Sequence, residues 1–178
     1  MRVLLPLLLT LFIAAPAHAT KAHSHGTAEL EVSVDGDVLS LALESPLDNL
    51  LGFERIPQYE KDFAKVREVA AVLRAGDKLF VPTAAAACTL LGVTLSADAI
   101  SPELLGEKAA PAAARTDHEH ADLDASYRFK CAKPAELKNV EVRLFDSFKR
   151  IRFINAQLVA GKTQRAARLS AKSRSLVW

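Results

Sequence analysis

Strict alternation of apolar and polar residues constrains this chain more than anything else in it. Ala28, Leu30, Val32 and Val34 are separated by Glu29, Glu31 and Ser33, and Leu123, Ala125, Tyr127, Phe129 and Cys131 by Asp124, Ser126, Arg128 and Lys130. A period of two sends successive side chains to opposite faces, so each segment reads as a half-buried strand with core on one side and water on the other. Asp35-Gly36-Asp37 is a turn signal that folds the first strand onto residues 38–43 as a hairpin. Pro46 closes that second strand, and residues 47–53 form a short apolar connection with Gly52 near its end. Residues 78–81, 88–95 and 140–144 read as further short strands, residues 151–159 and 165–169 as a second hairpin around Gly161, and the alanines at 84–87 fit a turn of helix. Only residues 58–75 carry a helical period: Phe63, Val66, Ala70 and Leu73 recur at spacings of three and four, and Gly76 stops the pattern. The expected class is α+β, predominantly antiparallel β with one main helix.

The first nineteen residues belong to a different category. Met1-Arg2 is a short positive start, residues 3–15 are almost wholly apolar, and Ala17-His18-Ala19 fits the small-x-small rule of signal peptidase. The apolar run is shorter than the ~20 residues of an ordinary span, and no cysteine follows it to accept a lipid. A signal peptide over 1–19, cleaved after Ala19, therefore predicts a periplasmic protein with no membrane span in its mature form; an uncleaved anchor is the alternative. The 159 residues left of 178 suffice for one domain or two small ones. Residues 106–117, rich in alanine with Pro111, read as a linker. They divide a β-rich lobe with the helix, 20–105, from a β-rich lobe, 118–178.

Charge and cysteines narrow the function. Without Arg2 the chain carries 22 lysines and arginines against 21 acids, a balance that offers nucleic acid no electrostatic footprint. Lys162, Arg165, Arg168, Lys172 and Arg174 are spread along apparent strands as a solvated face, and aromatic residues, 6% of the chain, are too few for a stacking platform. Cys88 and Cys131 are the only cysteines. In an oxidising compartment they are most simply a disulfide closing a loop of about 44 residues, worth roughly 4 kcal/mol in the chain-entropy model. Thiolate metal ligation is the alternative, weakened by the lack of a C-x-x-C spacing.

Past the leader there are four histidines, in two H-x-H pairs: His23 with His25, and His118 with His120. Each pair stands at the mouth of an alternating strand, on the parity of its polar face if the strand extends that far. Histidines at i and i+2 of a strand lie about 6.6 Å apart and point the same way. Two rings can then converge on one ion, and a second pair from a neighbouring strand would complete a tetrahedral site. Imidazole suits Zn²⁺ at about 2.0–2.1 Å, and also Cu²⁺ and Ni²⁺. Glu29, Glu31, Glu119, Asp122 and Asp124 are placed to accept the second ring N–H or to join the ligands. Against this stands the plain reading of four exposed loop histidines that bind nothing.

The ordered set His23-x-His25-Gly26-x-Ala28-x-Leu30-x-Val32, Val34-Asp35-Gly36, Glu44-Ser45-Pro46 and Gly52-Phe53-Glu54, followed by His118-x-His120-Ala121-Asp122, Tyr127-x-Phe129-x-Cys131 and Leu144-Phe145, resembles the ZrgA-like periplasmic zinc-binding proteins. The resemblance runs over essentially all of the chain past the leader. It implies zinc as the bound ion, a role in zinc acquisition or buffering beside a high-affinity zinc importer, and Glu54 as a further ligand or supporting group. Two positions depart from the family pattern. Residues 109–116 stand where relatives carry a long His/Asp/Glu-rich tract, and Arg55 stands where they often carry histidine. One discrete site survives those losses better than a many-site buffer.

The leading reading is thus a zinc-binding accessory protein and not an enzyme, since no nucleophile elbow, H-E-x-x-H or Gly-rich phosphate loop is present. A copper or nickel binder is a second reading: cleavage one residue later would leave Lys21-Ala22-His23 with a free amine. A metal-independent envelope interaction module is a third.

Overall fold

The computed structural model describes residues 24–108 and 121–178. The expected signal peptide, its cleavage point and residues 109–117 of the expected linker lie outside the described residues. The first hairpin forms as its alternation requires. β1 (Thr27–Asp35) and β2 (Val38–Pro46) pair antiparallel from Glu29↔Glu44 to Asp35↔Val38. The two-residue turn places Gly36 at φ +58°, a conformation glycine takes without a Cβ clash. Two helices follow: α1 (Leu47–Leu51), one turn in the stretch read as a connection, and α2 (Glu60–Arg74). α2 buries Val66, Val69, Ala70 and Leu73, close to the predicted stripe.

Gly76 does not simply stop the chain's helicity. It opens a four-residue turn, α3 (Gly76–Leu79), before β3 (Phe80–Pro82), so the strand predicted over 78–81 begins two residues late. A Cβ at Gly76 would lie 2.6 Å from Tyr127 Cδ1, and that ring is itself packed at 4.7 Å on Phe80. The alanines form a short 3-10 turn, Ala84–Ala86, leading into β4 (Cys88–Ser96). β5 (Asp122–Cys131) then buries Leu123, Ala125, Tyr127, Phe129 and Cys131 as alternation predicts. A second 3-10 turn, Pro134–Glu136, precedes β6 (Asn139–Val142). The strand predicted over 140–144 stops early, because Leu144–Ser147 turns into helix α4. β7 (Phe153–Ala160) and β8 (Thr163–Leu169) make the second hairpin, and β9 (Ser175–Val177) was not expected.

The strands form a six-stranded sheet ordered β4-β5-β2-β1-β7-β8 and a three-stranded sheet ordered β3-β6-β9. All pairings are antiparallel except β1 with β7. The fold is α+β and β-rich, as predicted. Strands from before and after residues 109–120 are interleaved within the large sheet, so the two stretches read as lobes share one sheet and one core. The inner face of the large sheet packs with α1, α2 and the small sheet. Cys88 and Cys131 face each other in register and form the predicted disulfide, which fastens edge strand β4 to β5. No helix among the described residues is long and apolar enough to cross a membrane.

Candidate metal site

Topology brings two distant parts of the sequence to one end of the large sheet. β1 and β5 both run antiparallel to β2, on either side of it, and Glu29 and Asp124 are both register partners of Glu44. The two flanking strands are therefore parallel to each other and begin at the same end, about two strand spacings or roughly 10 Å apart. At that end the Leu47 N–H donates to the Ala121 carbonyl at 2.8 Å. Ala121 directly follows His120, and Thr27, the first residue of β1, lies two beyond His25.

β1 does not extend back through Gly26 as the parity argument required. Thr27 N–H closes a turn onto the Ser24 carbonyl at 2.9 Å, and Gly26 sits at φ +83°. Gly26 also packs close to Arg152, whose Nε would lie 2.6 Å from any Cβ placed there. Its N–H donates to Asn49 Oδ1 at 2.7 Å, while Asn49 Nδ2 donates to the Thr27 carbonyl at 2.9 Å. Asn49, 2% exposed on α1, thus clamps the turn that carries His25. The glycine after the histidine is needed for both its angle and its lack of a side chain.

The His25 ring stands between two carboxylates. Its Nε2 is 3.1 Å from Glu54 Oε1, and its Nδ1 is 4.0 Å from Asp48 Oδ2. The ring side chain is 64% exposed and Asp48 only 19%. Two ligands each bound at 2.0–2.1 Å to a tetrahedral zinc stand about 3.3–3.4 Å apart. The Nε2–Oε1 separation is close to that edge, so one ion fits between His25 and Glu54 with little movement. Asp48 lies on the far side of the ring, where carboxylates that orient zinc-binding histidines stand. Such a pair could supply two of the four ligands of a tetrahedral ion. Among the described residues no three His, Cys, Asp or Glu side chains gather as a metal cluster.

Glu54 is held in place by its neighbour. Arg55 donates from Nη1 and Nη2 to Asp62 at 2.6 and 3.0 Å, and its guanidinium lies 4.9 Å from the Phe53 ring centroid. Asp62, buried at the start of α2, also accepts the N–H groups of Gln58 and Tyr59, both at 3.2 Å. The Arg55 guanidinium holds the Asp62 carboxyl far below the usual carboxylate range, and the two backbone donors add to the effect. Arg55 is thus committed to pinning the 52–60 segment.

The other predicted acids fall elsewhere. Glu29, Glu44 and Asp124 stand side by side across three strands on the polar face of the sheet, with Glu31 one step along β1 and Asp122 at the start of β5. Glu29, Glu31, Glu44 and Asp124 line a shallow depression of about 250 Å³ with Asn155 and Gln157. Asn155 Nδ2 donates to Glu29 Oε1 at 2.9 Å. Although Asp124 reaches solvent, the walls of the depression strip water from it and raise its carboxyl, and repulsion from Glu44, Asp122 and Asp98 adds to this. Register gives no joint site for this row and His25. His23, His118, Glu119 and His120 lie outside the described residues.

Sequence reasoning picked out His25 and Glu54 but missed Asp48, Asn49 and Arg150, whose Nη1 stands 3.2 Å from Asp48 Oδ2. The available signal was two polar residues inside the otherwise apolar run Leu47-Asp48-Asn49-Leu50-Leu51.

A family model described as ZrgA family zinc uptake protein matches residues 22–178. Curated proteins yield no match.

Proposed function

The chain belongs to the ZrgA family of zinc uptake proteins, and from that premise we propose that it is a periplasmic protein that binds one zinc ion at the β1/β5 end of the large sheet and serves a zinc importer. In this reading it carries or buffers the ion and transforms no substrate. Its leader, residues 1–19, is removed after Ala19. The Cys88–Cys131 bond agrees with an oxidising compartment.

The observation that carries the reading is the 3.1 Å approach of His25 Nε2 to Glu54 Oε1 at that end of the sheet. His25 and Glu54 supply the first two ligands. The other two are His118 and His120 of the second H-x-H pair, which precede Ala121 by three residues and one, with His23 as the alternative to Glu54. The donor set is nitrogen and oxygen, which zinc accepts in tetrahedral geometry. Histidines from two strand entries then meet on one ion, and the acidic row on the sheet face is not part of the site.

The test is a calorimetric zinc titration of residues 20–178 beside a variant with His118→Ala and His120→Ala. The parent should bind one equivalent, and the variant should lose at least tenfold in affinity, a loss of the size seen when even a supporting group of a zinc site is removed. A parent that binds no tighter than ~10 μM, or a variant that binds as the parent does, contradicts the shared site.

A further inference from the structure

Asp48 is shared between two nitrogen groups, the Arg150 guanidinium and the His25 imidazole, that approach the same oxygen. Its Oδ2 is 3.2 Å from Arg150 Nη1 and 4.0 Å from His25 Nδ1, and Arg150 Nη1 also reaches Oδ1 at 3.4 Å. At 4.0 Å the imidazole is outside hydrogen-bond range, whereas the guanidinium is within ion-pair range. The carboxylate itself is well fixed. It rides on α1, whose Leu47, Leu50 and Leu51 are buried, and the Asp48 carbonyl accepts the Gly52 N–H at 3.0 Å. Arg150 arrives from the segment between α4 and β7, and its side chain is 60% exposed. The anchored partner is therefore Asp48, and the removable one is Arg150.

We propose that Asp48 and Arg150 together set the zinc affinity of His25, Asp48 as the group that positions the ring and Arg150 as a brake that competes for it. The inference rests on the zinc reading of His25 and Glu54. When Nε2 binds a cation, the hydrogen sits on Nδ1 and becomes more acidic, and a carboxylate accepting it holds the ring in place and makes Nε2 a better donor. Asp48 is the carboxylate on that side. To accept from Nδ1 it must close from 4.0 Å to hydrogen-bond distance, and every contact it keeps with Arg150 resists that movement. The positive guanidinium also repels the incoming Zn²⁺. Both effects have the same sign: Arg150 weakens binding and Asp48 strengthens it.

That opposition separates the proposal from a purely structural ion pair, because removing either half of such a pair has the same consequence. Zinc chloride is titrated into residues 20–178 and into the variants Asp48→Asn, Arg150→Met, Arg150→Lys and the Asp48→Asn/Arg150→Met double. Asp48→Asn should weaken binding about 10–100-fold, the range for groups supporting a zinc-bound histidine. Arg150→Met should tighten it about two- to fivefold, the scale of an exposed ion pair. Arg150→Lys, which keeps the charge, should bind as the parent does, and the double variant should bind no more than about twofold tighter than Asp48→Asn, because most of the Arg150 effect passes through Asp48 and only its charge acts directly. If the two single variants shift affinity in the same direction, or neither shifts it, the proposal is overturned while the zinc reading stands. A parent that takes up no zinc overturns the zinc reading and this inference with it.

Discussion

Asp62 joins three parts of the structure: the side chain of Arg55, the backbone ahead of α2, and through both the segment that carries Glu54. Its carboxyl is held well below the unfolded value, first by Arg55 and then by the N–H groups of Gln58 and Tyr59, against the opposing effect of burial. A depressed carboxyl stabilises the fold at every pH above the unfolded value of about 3.9 and loses that contribution as pH falls through the folded value. Thermal melts should therefore show a loss of stability below about pH 4 that the variant Asp62→Asn largely lacks, the variant melting several degrees lower at pH 7. Equal pH dependence in parent and variant would contradict this role. His25 was legible at this scale because its H-x-H-G motif stands out of its surroundings, and Glu54 through the family resemblance of Gly52-Phe53-Glu54. Asp48 was not: it sits in an apolar run, and its partner Arg150 lies 102 residues away, a separation that local pattern does not reach.

Elements long enough to show a period were legible, and shorter ones were not. β1, β2, β5 and α2 each span nine residues or more and form where predicted, with the expected apolar faces of β1, β5 and α2 turned to the core. α1, α3, α4 and β9 have three to five residues, fewer than two repeats of their own pattern, and tertiary packing decides them. Gly26 shows a second limit. Parity alone carried β1 back to His25, but a left-handed glycine clamped by Asn49 ends the strand first. At this scale the disulfide has the clearest energetic role, since it ties edge strand β4 to β5 across a sequence separation of 43. The chain-entropy cost of that closure predicts about 4 kcal/mol of stability lost in a Cys88→Ala/Cys131→Ala variant. Urea unfolding in parallel with the parent measures it, and a difference below about 1 kcal/mol would show the bond to be incidental to the fold.

The order of strands in the large sheet decides which residues meet at its end, and it is the part the sequence hides. Hairpins β1–β2 and β7–β8 are local and were anticipated, whereas the parallel pairing of β1 with β7 and the seating of β5 against β2 depend on contacts across most of the chain. That seating makes β1 and β5 parallel neighbours around β2, and so brings the residue after the second H-x-H pair to the end of the sheet where His25 meets Glu54. It also sets the carboxylates of Glu29, Glu44 and Asp124 in a row on the polar face, a rival location for a divalent ion. The zinc affinity of two single variants of residues 20–178, measured by calorimetry against the parent, separates the two places. His25→Ala should weaken binding at least tenfold, and Asp124→Asn should leave it within about twofold, the size of a distant charge effect. Loss of binding in Asp124→Asn with retention in His25→Ala would place the ion on the sheet face and contradict the account.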